Sequence, residues 1–186
     1  MPSPQTVILI RHGEKPHEGG VPHGVNSHGE HDGHSLSVRG WTRAGALAAM
    51  FAHAPHALHP ALVTPQRVYA TKPTHTAKST RELDTATPTA RRLGLEVDDS
   101  VSHGKEVELA QRILGSPDDA LVVWHHGRIV LLAHEFPLVN PDEVPDEWPD
   151  HRFDLYWILT REDDSDVPAY RFSVLAQNLL DGDESV

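Results

Sequence analysis

Three short segments of the chain carry residue types that can do chemistry together. A β-branched run, Thr6–Ile10 (TVILI), ends abruptly in Arg11–His12–Gly13–Glu14. A second apolar run, Ala120–Trp124 (ALVVW), ends in His125–His126–Gly127, and between them Arg67–Ala70 (RVYA) leads through Thr71 to a segment carrying Arg81. An arginine guanidinium binds phosphate bidentately and keeps its charge at any working pH. A neutral imidazole offers a lone pair near neutrality and can attack phosphorus. A second imidazole, donating or protonated, can stabilise the charge on the transferring phosphoryl oxygens. Two or three histidines and two arginines around one crevice could therefore handle a phosphoryl group without a metal.

Such a crevice needs a scaffold that gathers strand ends. In open α/β sheets ligands sit outside the carboxyl ends of the strands. The chain reads as strand Thr6–Ile10, then a helix opening at Ser37 or Arg39 and running to about Phe51, with Trp41, Ala44, Leu47, Ala48 and Phe51 on one face. Strand Arg67–Ala70 follows, then a helical segment from about Thr80 to Leu93 that Pro88 should kink or restart, with Gly94 as its stop. Lys105–Leu114 is amphipathic, Ala120–Trp124 is a strand, and Arg128–His134 suits a short helix. After an acidic, proline-rich connection, Pro137–Pro149, two closing strands are expected at Phe153–Thr160 and Ala169–Leu175, with a fraying acidic tail at residues 181–186. Strands alternating with helices predict an α/β fold: a three-layer sandwich, its mostly parallel central sheet flanked by helices, in a single domain over residues 1–186.

Composition narrows the function. Sixteen Lys+Arg against 27 Asp+Glu give a formal net charge of −11 over 186 residues, which argues against a general nucleic-acid or anionic-membrane binder. The absence of cysteine removes disulfides, Cys-ligated zinc, iron–sulfur clusters and thiol catalysis, and it suits a reducing cytoplasm. No apolar stretch approaches the roughly 18–20 residues of a membrane span, and the N-terminus has no basic region of a secretory signal.

Histidine is abundant, 15 in all, and His17, His23, His28, His31 and His34 fall in a Gly/His/Asp-rich stretch, residues 16–35, without apolar periodicity. With Glu18, Glu30 and Asp32 nearby, these residues could be folded into a zinc or nickel site. Gly29 and Gly33 weaken any helix that would preorganise the ligands, so a polar lid over the crevice is the expectation and no metal is assigned.

Four segments in order resemble the histidine phosphatase (phosphoglycerate-mutase-like) superfamily. VILIRHGEK resembles its signature, and Leu36–Ala44 (LSVRGWTRA) its Leu-Ser/Thr-x-x-Gly-x-x-Arg-Ala helix start. Ser79–Thr80–Arg81 with Thr85–Ala86 is similar to its second arginine motif, and Trp124–Gly127 (WHHG) to its second histidine at a strand end. The Pro145–Trp148–Pro149 and Arg152–Phe153–Asp154 stretches look like small bacterial members. The resemblance implies that His12 is the nucleophile that becomes phosphohistidine, that Arg11 and Arg81 clamp the phosphoryl oxygens, and that His126 completes the pocket. The tandem histidines depart from the family's single His-Gly. Counting back from Gly127 favours His126, counting on from Leu121 favours His125, and His126 is preferred. The resemblance also implies a general acid between the second arginine and the second histidine. Glu106 is the better candidate, with Glu108 and Asp32 as alternatives. Glu14 is expected to pair an arginine, Lys15 to stand near substrate or in solvent, and Arg39 and Arg43 to be solvated helix charges.

The implied activity is a metal-independent phosphatase, needing no cofactor, that hydrolyses a phosphorylated small molecule or a phosphoprotein, phosphohistidine included. A phosphomutase of the same superfamily and a non-catalytic phospho-ligand or metal-binding module are the alternatives.

Overall fold

The continuous apolar runs of the sequence are strands buried on both faces, as expected for the parallel part of a sheet covered by helices. In the computed structural model, which describes residues 3–17, 20–162 and 167–186, Thr6–Arg11 forms β1, and its side chains alternate between two cores. Val7 and Leu9 pack with Val122, Trp124 and Trp157 on one side; Ile8 and Ile10 pack with Val68, Leu121 and Val123 on the other.

Two strands of two residues each, β2 (Gly24–Val25) and β3 (Leu36–Ser37), pair with each other, and helix α1 (Val38–Ala52) follows. Then come β4 (Arg67–Ala70), α2 (Arg81–Leu93), β5 (Val97–Asp98), α3 (Glu106–Leu114), β6 (Ala120–Trp124), α4 (His126–His134), β7 (Leu155–Arg161) and β8 (Tyr170–Ala176). The large sheet has the order β5-β4-β6-β1-β7-β8, with β5, β4, β6 and β1 parallel and β7 antiparallel to both neighbours. Leu47 and Phe51 of α1 and Ala86 and Ala90 of α2 cover one face, while Leu109 and Ile113 of α3 and Ile129 and Leu132 of α4 cover the other. This is the three-layer, mostly parallel α/β sandwich expected from the sequence. The register Arg11↔Trp124 and Ala70↔Val123 brings the carboxyl ends of β1, β6 and β4 level, so the residues that follow them share one edge.

Four local expectations need correction. Helix α2 runs through Pro88 without a restart; Pro88 removes one N–H, while Gly94 closes the helix in the left-handed conformation at φ 69°. Trp41 is only half-buried, because its indole N–H donates to Val25 O at 2.6 Å and fastens the 16–35 segment instead of joining the core. Arg43 is not a solvated helix charge but is 2% exposed among carboxylates. The tail is pinned at Asp183, which accepts from Arg43 and from the N–H groups of Leu179 and Leu180. Among the described residues no helix is long and apolar enough to cross a membrane.

Candidate active site

β1 delivers Arg11 and His12 to the sheet edge, and two glycines let the chain turn there. A Cβ on Gly13 would meet Gly40 O at 2.8 Å, and one on Gly40 would meet Glu14 O at 2.5 Å, so the exit of β1 and the start of α1 touch backbone to backbone. Ser37 locks this contact: its Oγ accepts from Gly40 N–H as the α1 cap and donates to Glu14 O at 2.9 Å. Thr85 of α2 adds a third tie, accepting from Gly13 N–H at 2.9 Å. The Ser, Gly and Thr of the sequence motifs are the carpentry that holds His12.

His12 is 3% exposed, and its Nδ1 lies 2.7 Å from Gly13 O. A carbonyl only accepts, so Nδ1 carries the hydrogen and Nε2 the lone pair. Burial drives the His12 pKa well below 6.5; the hydrogen bond to Gly13 opposes this, and the charges of Arg11 and Arg81 reinforce it. His12 is thereby held neutral near neutral pH, the form a nucleophile requires.

The β6 end supplies the facing wall. His126 stands edge-on to His12 with ring centroids 6.2 Å apart, and its Nδ1 is buried without a partner among the described residues. Its pKa is pushed down to about 4, first by burial and then by Arg11 and His125, with Asp150 acting the other way. His125 stacks behind it at 4.7 Å, with His103 beyond at 5.6 Å, and its Nδ1 accepts from Gly127 N–H as the α4 cap. His126 is therefore the tandem histidine that faces His12.

Arg11 is 1% exposed, yet among the described residues no carboxylate stands within ion-pair distance of it, and the charges of Asp150 and Glu82 act on it only from further away. Its Nη1 donates to the backbone of Asp150 at 2.6 Å, its guanidinium lies 4.1 Å over the Phe153 ring, and its Nε has no partner. Burial lowers its pKa to about 10, so it stays charged at neutral pH while poorly compensated. Arg81 starts α2 at the rim, donating to Gly33 O at 2.7 Å and Ser35 O at 3.1 Å, close enough to lower the pKa of both Arg11 and His12. Arg11, Arg81 and His126 thus set positive or neutral groups within electrostatic reach of His12, which suits a tetrahedral oxyanion.

Of the acid candidates, Glu106 is buried at the start of α3, where it accepts from Gly104 N–H at 2.8 Å and the Trp124 indole at 3.2 Å, and its charge acts on His125. Glu108 is exposed beside Lys105 and Arg112. Asp32 accepts from His34 N–H at 2.8 Å in the 16–35 segment. Sequence reasoning gave no role to Asp150 and Phe153. Phe153 lies in the Arg152–Phe153–Asp154 stretch noted in the sequence and Asp150 just after Pro149, on a segment anchored by Trp148, which packs 4.9 Å from Trp157 and donates to Arg152 O. Glu14 pairs with Arg39 and Arg43, as expected.

The 16–35 segment is folded where it is described: β2 pairs with β3, Val25 bridges His31, and Asn26 Oδ1 accepts from the N–H groups of His28 and Glu30. Glu18 lies outside the described residues. Among the described residues no three His, Asp or Glu side chains stand close enough to hold a metal ion. A cavity of about 920 Å³ lies beneath this segment and meets the arginine–histidine cluster at Arg81, Asp150 and Phe153.

No family model and no curated protein matches the sequence. Solved structures do match in shape. A protein assigned as the phosphohistidine phosphatase SixA of Agrobacterium tumefaciens superposes with a TM-score of 0.52 at 15% identity, covering 93% of this chain and 99% of its own. The protein histidine phosphatase SixA complexed with tungstate gives 0.53 at 15% identity, covering 92% and 97%. The chain has the histidine-phosphatase (phosphoglycerate-mutase-like) fold of the SixA proteins.

Proposed function

We propose that the protein is a phosphatase that hydrolyses phosphate esters or phosphohistidine through a phosphohistidine formed on His12. One observation carries the reading: a buried imidazole, neutral and with its Nε2 lone pair free, stands among Arg11, Arg81 and His126. In the proposed reaction His12 Nε2 attacks phosphorus and the bond to the leaving atom breaks, an ester oxygen or, in phosphohistidine, an imidazole nitrogen. Arg11, Arg81 and the donating His126 hold the three phosphoryl oxygens. Water then attacks the phosphohistidine, returning free phosphate and neutral His12. An acid must protonate the leaving group, and Glu106 remains the assignment from the sequence. The donor set neutralises the phosphoryl charge without a metal or cofactor. The matched SixA proteins, one of them holding the oxyanion tungstate, support the reading. A phosphorylated small molecule or a phosphoprotein fits as substrate. The charge of −11 disfavours nucleic acid, and the lack of cysteine supports a cytoplasmic setting.

Hydrolysis of para-nitrophenyl phosphate in EDTA tests the proposal. His12→Ala should abolish turnover, and rapid alkaline quenching should trap labelled phosphate on the wild type and none on the variant. Full activity in His12→Ala, or activity that vanishes in EDTA and returns with zinc, would overturn it. Because the His12 pKa lies well below 6.5, the acidic limb of kcat/KM should fall below that of a free imidazole.

A further inference from the structure

Among the described residues lining the cavity that opens onto the site, two carry carboxyl groups, Glu14 and Asp150. Glu14 is engaged by Arg39 and Arg43. The Asp150 side chain is 91% exposed, and its Oδ1 lies 3.6 Å from His126 Nε2. Its main chain is fixed to the site, because its carbonyl accepts from Arg11 Nη1 at 2.6 Å and Arg152 N–H closes the turn around it onto Pro149 O at 3.0 Å. Residue 150 therefore meets the phosphoryl pocket twice, with its backbone at Arg11 and its carboxyl beside His126. The carboxyls expected from the sequence stand elsewhere. Glu106 is buried, its Oε1 accepts from both Gly104 N–H and the Trp124 indole, and the cavity is lined neither by Glu106 nor by Glu108 or Asp32.

From this placement we propose, resting on the phosphatase reading above, that Asp150 is the catalytic acid that protonates the leaving oxygen of an ester substrate, and the base for the water that follows. Phosphoryl transfer runs in line, so the leaving oxygen sits on the side of phosphorus away from His12. His12 is 3% exposed with Phe153 5.9 Å from its ring, and the open side is the cavity at whose mouth Asp150 stands. A phosphate monoester has a second pKa of about 6, so its monoanion brings the proton in and passes it to Asp150. As the bond from phosphorus to the ester oxygen breaks, the Asp150 carboxyl gives this proton to that oxygen and the alcohol leaves. The carboxylate then takes a proton from the water whose oxygen attacks the phosphohistidine. The bond from phosphorus to His12 Nε2 breaks, and phosphate departs with Asp150 protonated again.

Leaving-group dependence tests this, read as kcat/KM, which reports the steps up to departure of the alcohol. Phenyl phosphate releases a phenolate with a pKa of about 10, which needs a proton. Para-nitrophenyl phosphate releases a far less basic one. Asp150→Asn should lower kcat/KM by about 10²-fold for phenyl phosphate and by no more than about three-fold for para-nitrophenyl phosphate, and Asp150→Glu should recover part of the loss. The exposure of Asp150 leaves the fold of both variants intact. Glu106→Gln should affect the two esters alike. An Asp150→Asn loss that is equal for both esters, no loss at all, or a loss selective for phenyl phosphate in Glu106→Gln and not in Asp150→Asn would each overturn the proposal. Failure of the phosphatase reading shows separately: the wild type would then hydrolyse neither ester and trap no labelled phosphate.

Discussion

Arg11 and Arg43 are equally hidden, at 1% and 2% exposed, and they lie on either side of the same β1–α1 junction. Their surroundings are opposite. Arg43 donates to both oxygens of Glu14, both of Asp183, and Gln177. Burial alone would lower its pKa, but these carboxylates reverse the effect and push it up. Arg11 has a backbone carbonyl and an aromatic face, and burial wins. A buried charge with its counterions built in is structure. A buried charge without them is half of an ion pair whose other half must arrive from outside.

The sharpest break of that comparison exchanges function for stability. Arg11→Ala should lower kcat/KM by about 10²–10³-fold, the effect of deleting one donor to a developing oxyanion, and should leave the melting temperature unchanged or higher. Arg43→Ala should destabilise the protein by about 3 kcal/mol, the lower end of the range for breaking a buried pair, because Glu14 and Asp183 keep only the half-exposed Arg39. Orthophosphate in the melt sharpens the contrast. At 100 times its Kd it should stabilise the wild type by about 2.7 kcal/mol and Arg11→Ala hardly at all. An equal phosphate shift in both proteins would show that Arg11 is not the anion's partner.

How much of this was open to reading from sequence differs between the two arginines. Arg11 lies in a local motif, because the end of a strand, a nucleophile and a clamping guanidinium are consecutive in the chain. The longer strands and the helices were equally legible, since a parallel sheet makes each long strand an unbroken apolar run and each helix a periodic one, whereas the two-residue β2, β3 and β5 carry no such run. The Arg43 site joins residue 43 to residues 14, 177 and 183, and no spacing rule links an acidic tail to a helix 140 positions earlier. For the same reason Asp150 and Phe153 were visible as a motif but not as neighbours of Arg11. The tandem histidines needed geometry too, because only the turn into α4 decides which ring faces His12.

Asp183 gives a smaller and pH-dependent effect. Burial alone would raise its pKa, but hydrogen bonds from Arg43 and from the N–H groups of Leu180 and Leu179 outweigh this and hold it below 3.8. Its folded pKa is depressed, so its stabilisation is full above the unfolded value and is lost as pH falls through the folded one. Asp183→Asn should therefore be less stable than wild type by about 1.5–3 kcal/mol at pH 7, the range for hydrogen bonds to charged groups. The gap should shrink in denaturant melts taken below pH 3.8 and close only once the pH has fallen below the folded pKa. A gap that persists in acid would mean that the tail is held by its backbone and not by the Arg43 pair.

The smallest expected effect comes from Glu82, a buried carboxyl whose charge acts on Arg11. Glu82 is 2% exposed; its Oε2 accepts from Ser79 Oγ at 3.0 Å, and its Oε1 is buried with no partner. Burial raises its pKa, and the opposing pull of Ser79, Arg81 and Arg11 does not cancel that rise. The folded state thus keeps the Glu82 proton at a pH where the unfolded chain has lost it. Its favourable contribution is present below the unfolded value of 4.5 and is lost as pH rises through the folded one. Glu82→Gln mimics the protonated form, so it should match the wild type at pH 4.5 and become the more stable protein by under about 1 kcal/mol at pH 8. Groups such as His12 and His126 titrate in both proteins and cancel in the difference. The reverse outcome, a variant that loses stability relative to wild type as pH rises, would show Glu82 ionised and paired with Arg11. In that case Arg11 would already own a counterion, and the contrast with Arg43 would be one of degree.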